Sequence, residues 1–241
     1  MVLLSINSAG YGLGIDPYYI LLVLPAMLLS LWAQYKVKTA FSEYSKKMTS
    51  RNITGYDVAR GILDGYDLKE IAVERVGGNL TDHYDPGKKV IRLSDSVYGS
   101  NSVAAAGVAA HEAGHAVQYA AGYYPIRIRT ALVPITNIGS TLSMPLILIG
   151  YLSGIPPFVY IGIALFSIVT LFQLVTLPVE YNAGKRALGA LSESGIMQDE
   201  ELDGAKKVLS AAALTYVASL IVSFMSLLRI LLVFNRRENK R

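Results

Sequence analysis

Four runs of about twenty apolar residues, the length needed to cross a bilayer core, divide the chain: Tyr18 to Tyr35, Ala131 to Tyr151, Phe158 to Leu177 and Ala211 to Phe234. Each predicts a membrane-spanning helix. Between the first two, the pattern shifts to ordinary mixed polarity over about ninety residues, Lys36 to Pro125, near the lower limit for a domain with its own core. Within it, Thr54 predicts an N-cap for a helix over Tyr56 to Asp64, closed by Gly65. Three β-type runs follow, Ile71 to Val76, Leu80 to Tyr84 and Lys89 to Leu93, with turn residues at Gly77 to Asn79 and Asp85 to Lys88. Consecutive strands joined this way predict a small antiparallel sheet. An Ala-rich helix then runs from Val103 to Ala121, capped by Asn101 or Ser102 and stopped at Gly122, with Pro125 beyond. After the third apolar run, Ser192 to Leu209 predicts a surface helix, whose acidic start at Asp199 to Glu201 and later Lys206 and Lys207 suit its dipole.

Composition supports the membrane reading. The 241 residues are 52% hydrophobic and only 17% charged, where about a quarter is usual in soluble domains. Disorder is excluded, since its signature is low hydrophobicity with high net charge. The net charge of +4 is too small and too scattered to predict nucleic acid as a partner; a lipid surface accounts for it. The first run is followed, not preceded, by its positive charges, Lys36 and Lys38, so it reads as a retained anchor and not as a cleaved signal. Lys36, Lys38, Lys46, Lys47, Arg51, Arg127 and Arg129 lie between the first two spans, and Lys185 and Arg186 follow the third, whereas Leu152 to Pro157 carries no charge. The positive-inside rule therefore puts the polar insert on the cytoplasmic side. The basic tail, Arg236, Arg237, Lys240 and Arg241, conflicts with that count: either it is an exception or the last run does not cross completely.

The candidate chemistry sits on the Ala-rich helix. His111, Glu112, Ala113, Gly114 and His115 spell H-E-x-x-H. Residues four apart share a helix face, so both imidazoles can hold one Zn²⁺, while Glu112, one position on, flanks the place where the reacting water would be and serves as general base. With no cysteine in the chain and only three His, any zinc must be held by His and carboxylate.

A catalytic site needs a third protein ligand, and Glu180, His83, Asp82 and Asp85 are the candidates. Glu180 stands just past the third span, with Ala183, Gly184 and Ala187 on its own helix face; Ala106, Gly107, Ala110 and Gly114 make a matching small face around His111. Two helices with such faces can approach closely. On these residues alone, Glu180 is balanced between a ligand and an interfacial acid paired with Lys185 or Arg186. His83 is expected near the cleft without metal contact, with Tyr84 beside it as a candidate substrate or oxyanion donor; Tyr119, Tyr123 and Tyr124 are further hydroxyls nearby.

The runs LTDHYDP (Leu80 to Pro86), VAAHEAGHAVQ (Val108 to Gln118), ALVPITNIGS (Ala131 to Ser140), LFQLVTLPVEYNAGKRAL (Leu171 to Leu188) and AAALTYVAS (Ala211 to Ser219) resemble the YugP-like neutral zinc metallopeptidases, membrane proteins of bacteria. More distantly, the chain is similar to the HtpX and CAAX-prenyl endopeptidases. The resemblance implies His111, His115 and Glu180 as zinc ligands and Glu112 as general base. In the distant group an Asp follows the ligand Glu by four positions; here Gly184 stands there, so the support around the site must differ. It also implies that the sheet segment near Asp82 to Tyr84 receives substrate as an added strand.

The expected fold class is an α-helical multi-pass membrane protein with a small α+β, zincin-like cytoplasmic part. The expected division is 1–35 lead and first span, 36–125 insert, 126–178 hairpin of two spans, 179–210 third-ligand and surface helices, and 211–241 last span and tail. The expected function is a zinc endopeptidase of the bacterial cell membrane, gluzincin-like, cutting membrane-associated or misfolded polypeptides at the cytoplasmic face. The alternatives are a non-catalytic membrane protein with structural zinc and a transporter. Against the transporter, Arg229 is almost the only ionisable residue in the four runs.

Overall fold

The computed structural model describes residues 16–238. The Gly-rich lead before Asp16, and Lys240 and Arg241 of the tail, lie outside the described residues. In chain order, a π-helical turn at Tyr19–Val23 leads into α1 (Leu24–Tyr44), followed by α2 (Gly55–Gly65), β1 (Ala72–Val76), β2 (His83–Asp85), β3 (Val90–Ser94), α3 (Asp95–Tyr98), α4 (Val103–Ala120), α5 (Tyr124–Ser153), α6 (Pro156–Glu193) and α7 (Asp199–Glu238). Four helical stretches, Tyr19–Tyr44, Tyr124–Ser153, Pro156–Glu193 and Asp199–Asn235, are long and apolar enough to cross a membrane. The chain forms two compact units.

One unit comprises residues 32–131 and 174–217 and contains the sheet. Thr54 caps α2 as expected, and the cap is reciprocal: its hydroxyl accepts from Asp57 N at 3.2 Å while Asp57 Oδ2 accepts from Thr54 N at 2.9 Å. Gly65 is the last helical residue and not the reversal point; Asp67, at φ 55°, turns the chain. The sheet departs from the antiparallel expectation. Its order is β1-β3-β2, with β3 parallel to β1 and antiparallel to β2. The physical reason is burial: Val90, Ile91 and Leu93 bury both faces of β3, whereas β1 carries Glu74 and Arg75 and β2 is His-Tyr-Asp. The strand buried on both faces takes the centre. Asp82 in the 77–82 loop accepts from Ser94 N at 2.7 Å and Ser94 Oγ at 2.9 Å, tying that loop to the end of β3.

Ser102 caps α4 through Ala105 N at 3.2 Å, and Gly122, at φ 64°, turns the chain after it. Ala104, Ala105, Ala106, Ala109, Ala110, Ala113 and Ala116 are all fully buried, so α4 is enclosed around its circumference. Only methyl-sized side chains permit that. The surface helix expected at Ser192 to Leu209 is divided instead: α6 runs unbroken through Pro178 to Glu193, Gly195 at φ 58° turns the chain, and α7 continues from Asp199 as one 40-residue helix.

The other unit comprises residues 16–31, 132–173 and 218–238. Its helices meet at glycines: a Cβ on Gly162 would stand 2.7 Å from the Ser143 carbonyl oxygen, and one on Gly150 would be 2.8 Å from Val159 N. Arg229 is buried and paired with Asp16, Nη2 to Oδ2 at 2.6 Å and Nε to Oδ2 at 2.9 Å, with the Tyr19 ring 5.2 Å from its guanidinium. Phe234, near the end of α7, packs edge-on against Tyr151, close to the α5–α6 turn.

Ile91→Ala, which empties the middle of the central strand, is expected to lower stability by about 2–5 kcal/mol, measured as a fall in the denaturant midpoint of the detergent-solubilised protein.

Candidate metal centre

His111 and His115 project from successive turns of α4, their ring centroids 4.7 Å apart and edge-on. Glu180 comes from α6 and is 2% exposed. Its Oε2 lies 3.1 Å from His111 Nε2 and 3.6 Å from His115 Nε2. Each of the three residues offers one ligand atom, all within 4.8 Å of one another, and no other such group of three occurs among the described residues. Backbone proximity makes this convergence available: a Cβ on Gly114 would stand 2.7 Å from the Ala183 carbonyl oxygen, and Ala183 and Ala187 are fully buried. Gly107 plays the same part against Ala205 of α7, where a Cβ would be 3.3 Å from Cβ. The small faces expected from the sequence do pack, except that Gly184 meets open space.

The remaining charges set the electrostatics. Arg129 of α5 brings Nη2 to 3.4 Å from Glu180 Oε1, an ion pair by distance but not by hydrogen-bond geometry, since Oε1 has no hydrogen-bond partner. His111 Nδ1 is likewise buried without a partner. Unpaired buried polar atoms around a His₂-carboxylate set fit a cation better than an apolar core, and that donor chemistry suits zinc. Burial pushes the Glu112 carboxyl up to about 7; His111 pulls it down, while Glu180 and Asp82 add to the rise.

The other third-ligand candidates are held elsewhere. His83 is exposed, with Nδ1 2.9 Å from Thr81 O and Nε2 3.3 Å from Arg92 Nη1. Asp82 is engaged by Ser94, and Asp85 Oδ1 accepts from Gly87 N and Lys88 N while Oδ2 meets Arg92 at 3.3 Å. Tyr84 packs edge-on against Tyr119, centroids 5.6 Å apart, and burial raises its hydroxyl. The Tyr119 hydroxyl is bonded to Thr130. Sequence reasoning missed Gln118, fully buried, whose Nε2 donates to Val179 O at 2.8 Å across the α4–α6 contact. The readable signal was an amide three residues past His115, on the helix face that also carries His111 and Gly114. Arg129 was read only as a charge on the basic side, and Tyr216, which lies beside Glu180, was not singled out at all.

The comparisons with known proteins agree in kind with this centre. The family described as "Putative neutral zinc metallopeptidase" matches residues 19–235. The chain is 46% identical over 223 residues to the "Putative membrane protease YugP" of Bacillus subtilis (strain 168), covering 92% of this chain and 99% of that protein. No solved structure matches.

Gly114→Ala is expected to force α4 and α6 apart, destabilising the fold by about 1–3 kcal/mol and weakening bound metal in chelator competition. Gly184→Ala, with open space for its methyl, leaves both unchanged. Glu112 gives a pH signature in the metal-free protein. Its folded value lies above the 4.5 of a free glutamate, so the stability contributed by the neutral form is complete below about pH 4.5 and is lost as the pH rises through about 7. Thermal midpoints should fall more steeply over that range in the wild type than in Glu112→Gln.

Proposed function

Since the chain belongs to the neutral zinc metallopeptidase family, we propose that it is a zinc-dependent endopeptidase that hydrolyses peptide bonds at the cytoplasmic face of the bacterial cell membrane. The observation that carries this reading is the convergence of His111 and His115 with a buried carboxylate from a distant helix. His111, His115 and Glu180 would hold the ion, a gluzincin-like set on a zincin-like helix. Bound there, zinc would supply a Lewis acid that polarises the scissile carbonyl and acidifies water. Glu112 accepts the proton of the attacking water as it adds to the carbonyl carbon, then returns it to the leaving amine as the C–N bond breaks. Its buried carboxyl, raised toward neutrality, suits both directions of transfer.

The substrate is a polypeptide, membrane-associated or misfolded. Supporting this, β2 is an edge strand of the sheet, paired among the described residues with β3 on one side, and an edge strand is the element to which an extended peptide adds. His83 and Tyr84 stand on that strand, on the substrate side and not among the ligands. For orientation, we count Lys36, Lys38, Lys46, Lys47 and Arg51 against the uncharged Leu152 to Pro157 turn. Phe234 packs beside that turn, which favours a complete fourth crossing with the basic tail as the exception to the charge rule.

The test compares purified wild type, Glu112→Gln and Glu180→Ala for zinc content and cleavage of casein or peptides. Glu112→Gln should keep zinc and lose about 10²–10⁴ in rate; Glu180→Ala should lose most of both. Full cleavage by Glu112→Gln would overturn the mechanism, and unchanged zinc affinity in Glu180→Ala would overturn the ligand assignment. A reporter fused after Asn235 should report the same side as one inserted at Gly154.

A further inference from the structure

We propose that Arg186, Asn182 and Gln118 form a one-way hydrogen-bond relay that fixes the ring proton of His115 on Nδ1 and so presents Nε2 as a bare lone pair to the metal, an inference that rests on the metallopeptidase reading above. The direction of the relay follows from what each group can donate. Arg186 Nε stands 2.8 Å from Asn182 Oδ1. A guanidinium only donates, so the Asn182 amide must turn its oxygen toward it. That same oxygen lies 2.9 Å from Gln118 Nε2, which is also 2.8 Å from the Val179 carbonyl oxygen. Two acceptors facing one end of the Gln118 amide require its NH₂ there, and its two protons satisfy both.

The other end of the Gln118 amide is then an oxygen, 3.0 Å from His115 Nδ1. An amide oxygen only accepts, so the proton must be on Nδ1. Gln118 has no exposed surface. Rotating its amide by half a turn would set a buried oxygen against two acceptors, so the arrangement has one low-energy direction. His111 supplies the contrast within the same site: its Nδ1 has no partner, and nothing comparable constrains it. These three residues are positioning residues, acting on His115 and not on substrate. They supply, from the zinc helix and the Glu180 helix together, the orienting hydrogen bond that a metal-ligating histidine ordinarily needs.

With three histidines in the chain, ring ¹⁵N NMR of the metal-free, full-length protein in detergent micelles resolves the tautomer, with His83→Asn removing one spin system for assignment. The expected wild-type result is a protonated Nδ1 and an unprotonated Nε2 on His115. Gln118→Met, of similar volume but without the acceptor, should lose that fixed tautomer and weaken zinc binding about 10- to 100-fold. Asn182→Asp, with two accepting oxygens, should retain both properties, and Asn182→Leu, which leaves the Val179 carbonyl oxygen as the remaining acceptor for the Gln118 NH₂, should weaken both. That half-buried pair carries the test should Gln118→Met fail to fold. A wild-type His115 protonated on Nε2, or a folded Gln118→Met with unchanged tautomer and zinc affinity, overturns the relay. A chain with His115 fixed as expected that binds no zinc overturns the metallopeptidase reading instead and leaves the proton assignment standing.

Discussion

The candidate centre depends on one close approach: the backbone of α6 at Ala183 against the bare face of α4 at Gly114. No side chain larger than hydrogen fits at Gly114 without moving a carbonyl, and that spacing lets the short Glu180 side chain reach between two imidazoles. The constraint spreads along α4, where a row of fully buried alanines keeps the surrounding elements near the helix axis. Ordinary core design would use larger side chains for more burial energy. Here, area is given up for proximity, and the sheet and α2 supply the larger side chains, Ile91, Leu93, Val58 and Leu63, that α4 lacks.

That geometry creates an electrostatic problem whose solution is the site. A carboxylate with 2% exposure is expensive to bury unless positive or hydrogen-bonding groups surround it. The two imidazoles and Arg129 do so in part, yet Glu180 Oε1 and His111 Nδ1 are left without hydrogen-bond partners. An incompletely satisfied polar cluster is poor structural design and good preparation for a cation. Glu112 is placed differently: buried beside the same cluster but outside the ligand group, it feels burial most strongly and shifts toward neutrality. Two buried carboxyl groups on different helices, Glu112 of α4 and Glu180 of α6, thus stand in different surroundings, one beside the two imidazoles and one outside that group.

What the sequence made legible follows from what is local. The caps at Thr54 and Ser102, the four-residue spacing of His111 and His115, and the small faces of α4 and α6 are helix-periodic or one-residue signals, and each recurs in the fold. The strand order was not local. Turns at Gly77 to Asn79 and Asp85 to Lys88 announce reversals, and β1 and β2 do run in opposite directions, but no turn says that β3 inserts between them. Only the burial of both faces of β3 explains it, and periodicity within five residues is too short to read that. The surface helix expected over Ser192 to Leu209 is divided for a related reason: α6 continues to Glu193, Gly195 makes the turn, and α7 starts at Asp199. Gln118 escaped because an amide has no chemistry of its own in sequence; its meaning lies in partners 61 and 64 residues away.

The apolar part follows the same logic of close backbone approach with isolated polar pairs. Gly150 and Gly162 bring helices into contact where a methyl would clash, as is common where lipid offers no hydrophobic drive for association. Arg229, the charge that stood out in the fourth apolar run, is paired with Asp16 at the head of the first span, 213 residues away in sequence. In hydrocarbon such a pair is retained only if both partners stay together, because either one alone would be an unpaired charge. It therefore ties the beginning of the first span to the latter part of the last. Since α6 runs from Pro156 to Glu193, the element that carries the third apolar run also carries Glu180. With no cysteine and three histidines in the chain, a third donor for His111 and His115 has to come from a carboxylate or from His83, and the carboxylate that reaches them belongs to a helix long and apolar enough to cross a membrane.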